Sequence, residues 1–203
     1  MDAVQRFEEF RAKFLKTDLW RAMVNEREGT AWHREANVGV HTDMLLDWYR
    51  DNLMQHRSDT QRMWTMVACL FHDVAKPMSR IVKPGPDGQP KNGYHGHEPK
   101  SGRVWAVYAV ENHADVSEIL RFDMSDVEFV KHMIDHHVPF EMKKPGKRIA
   151  LKRSFYDRNG DHGHRAWLDL LLSDQHGRHS DDKAAKLKKV DEWMAEWDQV
   201  PLS

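Results

Sequence analysis

Residues 60–77 read TQRMWTMVACLFHDVAKP. Met63, Val67, Leu70, Phe71 and Val74 recur at helical intervals, the rhythm of a helix with one apolar face. Pro77 supplies a stop, because it lacks an amide hydrogen and clashes with the preceding turn. Cys69 lies inside the apolar run Met66–Phe71 and reads as a small buried hydrophobe. Within this pattern stands the adjacent pair His72-Asp73. Neighbours on a regular helix point about 100° apart. Such a pair can bracket one ion, or two ions side by side, if the helix faces the site obliquely.

The same rhythm extends outward in both directions. Val4, Phe7, Phe10 and Phe14 predict an N-terminal amphipathic helix, and Val38, His41, Leu45, Trp48 and Tyr49 another over 38–54. Residues 79–95, SRIVKPGPDGQPKNGYH, break the pattern with prolines and glycines, and predict an irregular loop or small hairpin. A helix resumes after Pro99 with Val104, Val107, Tyr108 and Glu111. The next runs from an N-cap at Ser125, with Glu128 at the capping-box position, to His137, and Pro139 ends it. Residues 141–153 read as a basic loop holding Lys143, Lys144, Lys147, Arg148, Lys152 and Arg153, with Glu141 its only acid. It could be simply solvated or clamp a phosphate beyond the scissile one. Trp167, Leu168, Leu171 and Leu172 mark a helix over 164–178. Leu187, Val190, Met194 and Trp197 mark the last, over 181–198. The fold class expected is all-α, a single domain over residues 1–203.

Bulk properties narrow the function. With 203 residues the chain can build one domain with a real core. A net charge of -1 gives no global field toward nucleic acid or membrane. One cysteine allows neither an intrachain disulfide nor a Cys-based zinc cluster. The charged N-terminus carries no secretory signal, and no run approaches the ~18 apolar residues of a membrane span, so the cytoplasm is the expected compartment. The 14 histidines are dispersed, and several fall beside aspartates. Imidazole and carboxylate together suit borderline divalent ions, and a catalytic ion needs such ligands on rigid elements. His41, His72-Asp73, His97, His136-His137 and Asp174 are the candidates. Taken singly, each reads as readily as a surface or satisfied core residue.

Their order is more specific. His41, then His72-Asp73, then Asp174 resembles the H…HD…D signature of the HD superfamily of metal-dependent phosphohydrolases. Four stretches resemble, in sequence, the HD domain attached to bacterial tRNA nucleotidyltransferases: WHREANVGVHTDML (32–45), LFHDVAKP (70–77), YHGHEPKSG (94–102) and LDLLLSDQHGR (168–178). The chain departs from those enzymes in having no nucleotidyltransferase head within its first 31 residues, so the resemblance does not imply CCA addition. Ser173 also stands where the family has Ala.

The resemblance implies an HD-type helical domain with the insertion near 79–95, and a core about residues 32–178. It implies His41, His72, Asp73 and Asp174 as primary metal ligands. His97 and His136 match positions that hold a second ion in binuclear relatives, with His137 the alternative or additional ligand there. Two divalent ions are therefore expected, with Mn, Ni, Co, Mg, Fe or Zn as candidates. Asp73, Lys76, His97 and Arg178 are the expected catalytic residues: Lys76 lies three positions beyond Asp73 on one helical face, and Arg178 could grip a phosphate bidentately. His33 and Glu35 are near enough in sequence to line the pocket. The implied reaction is hydrolysis of phosphomonoesters or cyclic phosphodiesters of nucleotides or RNA ends carrying 2′ or 3′ phosphates. A nucleotidase or signalling-nucleotide hydrolase is the alternative, and a non-catalytic nucleotide sensor is the reading of a different class. No protein partner is expected.

Overall fold

The computed structural model describes residues 1–27, 36–85, 88, 90–139, 144–179 and 183–202. His33, Glu35, Glu141 and Lys143 lie outside the described residues. Among the described residues the fold is all-α apart from one small hairpin. No helix among the described residues is long and apolar enough to cross a membrane.

Helix α1 (Ala3–Phe14) starts at a capping box between Asp2 and Gln5, and buries Ala3, Phe7, Phe10 and Phe14 on one stripe. Helix α2 (Asp18–Asn25) is capped by Thr17. Helix α3 (Val38–Asn52) starts where the Asn37 side chain accepts the Val40 amide. Helix α4 (Asp59–Phe71) begins at a second capping box, Ser58 with Gln61, and buries its whole length from Met63 to Phe71. A helix apolar on every face belongs in the middle of a core. Accordingly α4 packs against α1, α3 and later helices, and Phe71 meets Phe10, Phe14, Trp105 and Tyr108. Cys69 is buried there as a free thiol.

Four residues beyond α4 comes the short helix α5 (Lys76–Ser79), then strands β1 (Ile81–Pro84) and β2 (Pro90–Gly93). The strands pair antiparallel, with Ile81 opposite Gly93. The insertion predicted over 79–95 is thus a hairpin. Helix α6 (His97–Glu111) follows, then the short α7 (His113–Asp115) leading into a wide π turn over Val116–Leu120. Helix α8 (Met124–Asp135) is capped by Asp123 paired with Asp126, and not by Ser125 with Glu128. The Asp123 carboxylate accepts both the Ser125 and Asp126 amides, and a carboxylate is the better anion at a helix N-terminus.

Helix α9 (Pro145–His176) is interrupted at Asn159–Gly160, and α10 (Lys183–Asp198) closes the chain. The basic stretch expected as a loop over 141–153 is helical from Pro145, a residue suited to a first helical position. Its cations are largely engaged by the C-terminal segment. The buried Lys152 ammonium donates to the carbonyls of Trp197, Asp198 and Val200, Arg148 pairs with Glu196, and Arg153 donates to the Leu202 carbonyl. Buried residues from α1 through α10 form one cluster, and the polar residues His41, His72, Asp73, His137 and Asp174 are buried with it.

Candidate metal centre

Four elements deliver the polar side chains. His41 comes from the second turn of α3, His97 from the first residue of α6, His137 from just beyond α8, and Asp174 from the last turn of α9. His72 and Asp73 do not lie in a helix. Helix α4 ends at Phe71, and the following bonds close tight turns: the Val74 amide to the Phe71 carbonyl and the Lys76 amide to the Asp73 carbonyl. His72 caps α4 with helical φ/ψ, and both neighbours are buried where the helix gives way to this turn. Pro77 sits in the first turn of α5 and stops nothing.

Asp73 is at the middle. Its Oδ2 lies 3.0 Å from His72 Nε2, 3.8 Å from His41 Nε2 and 2.7 Å from Lys76 Nζ. Its Oδ1 lies 3.0 Å from His97 Nε2 and 3.6 Å from His137 Nε2. Each oxygen therefore faces its own set of imidazoles. Two groups could hold an ion, His41–His72–Asp73 and Asp73–His97–His137, and they share this carboxylate. Asp174 borders the first: its Oδ1 is 3.0 Å from His41 Nε2 and 3.7 Å from His72 Nε2, and the two imidazole nitrogens are 3.4 Å apart.

The tautomers are fixed by backbone carbonyls. His72 Nδ1 is 2.8 Å from the Cys69 carbonyl, His97 Nδ1 is 2.7 Å from that of Tyr94, and His137 Nδ1 is 2.7 Å from that of Ile134. A carbonyl oxygen only accepts, so each Nδ1 carries the hydrogen. When the ring is neutral its Nε2 is then a bare lone pair, and all three are turned on Asp73. Lone pairs facing a buried carboxylate at 3.0–3.6 Å repel unless something cationic stands among them. No aligned hydrogen bond reaches either Asp73 oxygen, although both are buried. Ligands about 2.1 Å from one ion sit roughly 3 to 3.5 Å from one another, close to the spacings here. The donor set therefore fits a divalent cation, with nitrogen and oxygen ligands and no thiolate.

Electrostatics point the same way. Burial alone raises the Asp73 carboxyl, but the electrostatic attraction of His72 and of the Lys76 ammonium holds it well below the usual carboxylate range. Asp174 behaves likewise, with burial overcome by the Arg178 guanidinium and by His41. Both stay ionised at neutral pH.

Not every expected residue joins the cluster. His136 turns away: its Nδ1 lies 3.0 Å from the His132 carbonyl, and its ring packs on His132 and Phe155. Of the adjacent pair, His137 is the one in place, because His136 caps the end of α8 on the side that packs on Phe155 of α9. Arg178 grips Asp174 through both carboxylate oxygens and the main-chain carbonyl, so it orients a ligand where a phosphate contact was expected. Lys76, 3% exposed, lies beneath the Tyr94 ring at 5.6 Å from its centroid. Gln175 donates to Asp174 Oδ2 at 3.0 Å, a contact the sequence reading missed. The orienting carbonyls were also missed. Each stands three residues before its histidine (69/72, 94/97, 134/137), a spacing visible in the sequence once the helix ends are placed.

Gly177 brings the first group together. A Cβ there would lie 2.6 Å from Leu45 Cα and 2.8 Å from the Leu45 nitrogen. Only a residue without a side chain lets the end of α9 close on α3, and this contact sets Asp174 against His41.

Comparison of the chain with family models, with curated proteins and with solved structures gives no match in any of the three.

Proposed function

We propose that this chain is a metal-dependent phosphohydrolase of the HD type, acting on phosphomonoesters or cyclic phosphodiesters of nucleotides or RNA ends. The observation that carries the reading is the single buried carboxylate of Asp73, shared between two imidazole sets. A carboxylate bridging two ions is a recurrent device of phosphoryl-group hydrolysis. His41, His72, Asp73 and Asp174 would hold one ion, and Asp73, His97 and His137 a second.

A divalent ion bound here supplies Lewis acidity toward a phosphoryl oxygen and acidifies water. The remaining work falls to the chain. Asp73, held ionised, would serve as the anion common to both groups. Lys76 adds positive charge on the Oδ2 side and neutralises charge developing on a phosphoryl oxygen. Arg178 and Gln175 fix Asp174 so that Oδ1 alone faces the imidazoles. His41, His72 and His137 are sealed from solvent, while the His97 side chain is 12% exposed, so an ester approaches from the His97 side.

The test is hydrolysis of p-nitrophenyl phosphate, bis-p-nitrophenyl phosphate, 2′,3′-cyclic mononucleotides and nucleoside monophosphates with Mg, Mn, Co, Ni or Zn. Turnover that requires metal and is abolished in His72→Ala is expected. Absence of turnover with every metal would sink the enzymatic reading.

A further inference from the structure

His136 was a candidate ligand that the metal centre does not use, and it has another place in the molecule. Beside the centre, between the first turn of α6 and the end of α8, lies a cleft of about 210 Å³. Its polar lining includes Glu98, next to the ligand His97, and His136, next to the ligand His137. Its walls include Pro99, Val138, Pro139 and Leu151. The cleft lies next to His97, whose Nδ1 is 3.7 Å from the Glu98 carboxylate and whose side chain is 12% exposed. Pockets that house a whole small ligand span about 300–1,000 Å³, so this one has room for a single ring system with apolar faces.

The polar groups share one character. His136 Nδ1 donates to the His132 carbonyl at 3.0 Å, which leaves Nε2 of the neutral ring as an acceptor. The Glu98 carboxylate is acceptor-only. Asp135 also lines the cleft, and the Lys131 ammonium at 2.6 Å offsets its charge. An acceptor edge between apolar walls suits a flat heterocycle that brings N–H donors and repels one that brings a carbonyl at the same point.

We infer that this cleft receives the base of the nucleotide whose phosphate meets the metal centre, and that Glu98 and His136 select bases carrying an amino group. The inference rests on the phosphohydrolase reading for the position of the phosphate. Cytosine and uracil are the sharpest pair, because an amino group in one stands where a carbonyl stands in the other.

The experiment is calorimetric binding of CMP and of UMP to the Mn-loaded full chain, with the two affinities compared within each protein so that damage to the metal site cancels. A buried donor–acceptor match gives about ten-fold tighter binding of CMP. Glu98→Gln, which puts an amide donor at the edge, is expected to bring the ratio to one or invert it, and His136→Ala to lower it. Equal affinities in the wild-type chain, or an unchanged ratio in both variants, would overturn the assignment. Hydrolysis of bis-p-nitrophenyl phosphate, measured alongside, separates the two failures. Turnover without base preference removes the cleft's role alone, and preference without turnover removes the enzymatic reading alone.

Discussion

Removing the Asp73 carboxylate perturbs both halves of the centre at once, and the structure sets the size of the effect. In Asp73→Ala the Lys76 ammonium stays buried without the oxygen now 2.7 Å away. Breaking a buried ion pair from one side costs about 3–5 kcal/mol. The Tyr94 ring at 5.6 Å returns part of this, on the order of 1 kcal/mol. A net loss of about 2–4 kcal/mol lowers the melting temperature of a chain this size by roughly 5–15 °C. The double variant Asp73→Ala/Lys76→Met removes both charges, and replacing a whole buried pair by apolar groups is close to neutral. It should recover most of the metal-free stability and none of the metal. The assay is thermal unfolding of chelator-treated protein by circular dichroism, paired with metal content after reloading with Mn or Zn. The reasoning fails if the double variant melts as low as the single one, or if either variant keeps wild-type metal content.

Two further predictions concern the scaffold. Gly177→Ala forces a Cβ against the Leu45 backbone, which should cost about 1–3 kcal/mol and weaken metal retention by moving Asp174 from His41. Wild-type stability and metal affinity in that variant would refute the close-approach argument. His164 accepts a hydrogen bond from the Trp197 indole at 2.9 Å, and burial, then the charge of Lys152, push its pKa down to about 4. The unfolded chain takes up that proton near pH 6.5, so the contribution is complete above 6.5 and lost as pH falls toward 4. It amounts to about 2–3 kcal/mol after allowance for solvent screening. His164→Gln, which accepts the same bond and does not titrate, should flatten unfolding free energy over this range, and an unaltered pH slope would refute it.

The helices were legible because their apolar stripes are long: Phe7, Phe10 and Phe14, or Met63 to Phe71, leave little choice of period. Helix ends were less so. Asp123 and Ser125 both head plausible capping boxes, and only the reach of the Asp123 carboxylate to two amides decides between them. Lys152 read as part of a basic loop, either solvated or clamping a phosphate, because its partners are main-chain carbonyls 45 to 48 residues away, which carry no sequence signal. The candidate ligands were legible as types in an order. What distinguishes His137 from His136 is where α8 stops. Arg178 was read as a residue that could grip a phosphate bidentately, and its position four residues after Asp174 also lets it close on that carboxylate.

The turn after Phe71 bears on how adjacent residues serve one centre. His72 keeps helical φ/ψ as the cap of α4, so it and Asp73 bracket the centre from different directions. Ending the helix at Phe71 lets His72 tie Nδ1 to the Cys69 carbonyl behind it, while Asp73 places one oxygen toward His72 and the other toward His97 and His137. The same act frees carbonyls at the end of α4 that a longer helix would have consumed. His97 and His137 repeat the arrangement at the start of α6 and just beyond α8, each using a carbonyl that no full helical turn claims. Helix ends supply the carbonyls that fix the tautomers, the tautomers aim the lone pairs, and the lone pairs with Asp73 form groups that could hold a cation. A substitution that carried α4 past His72, with both ligands intact, would therefore abolish metal binding as fully as deleting Asp73.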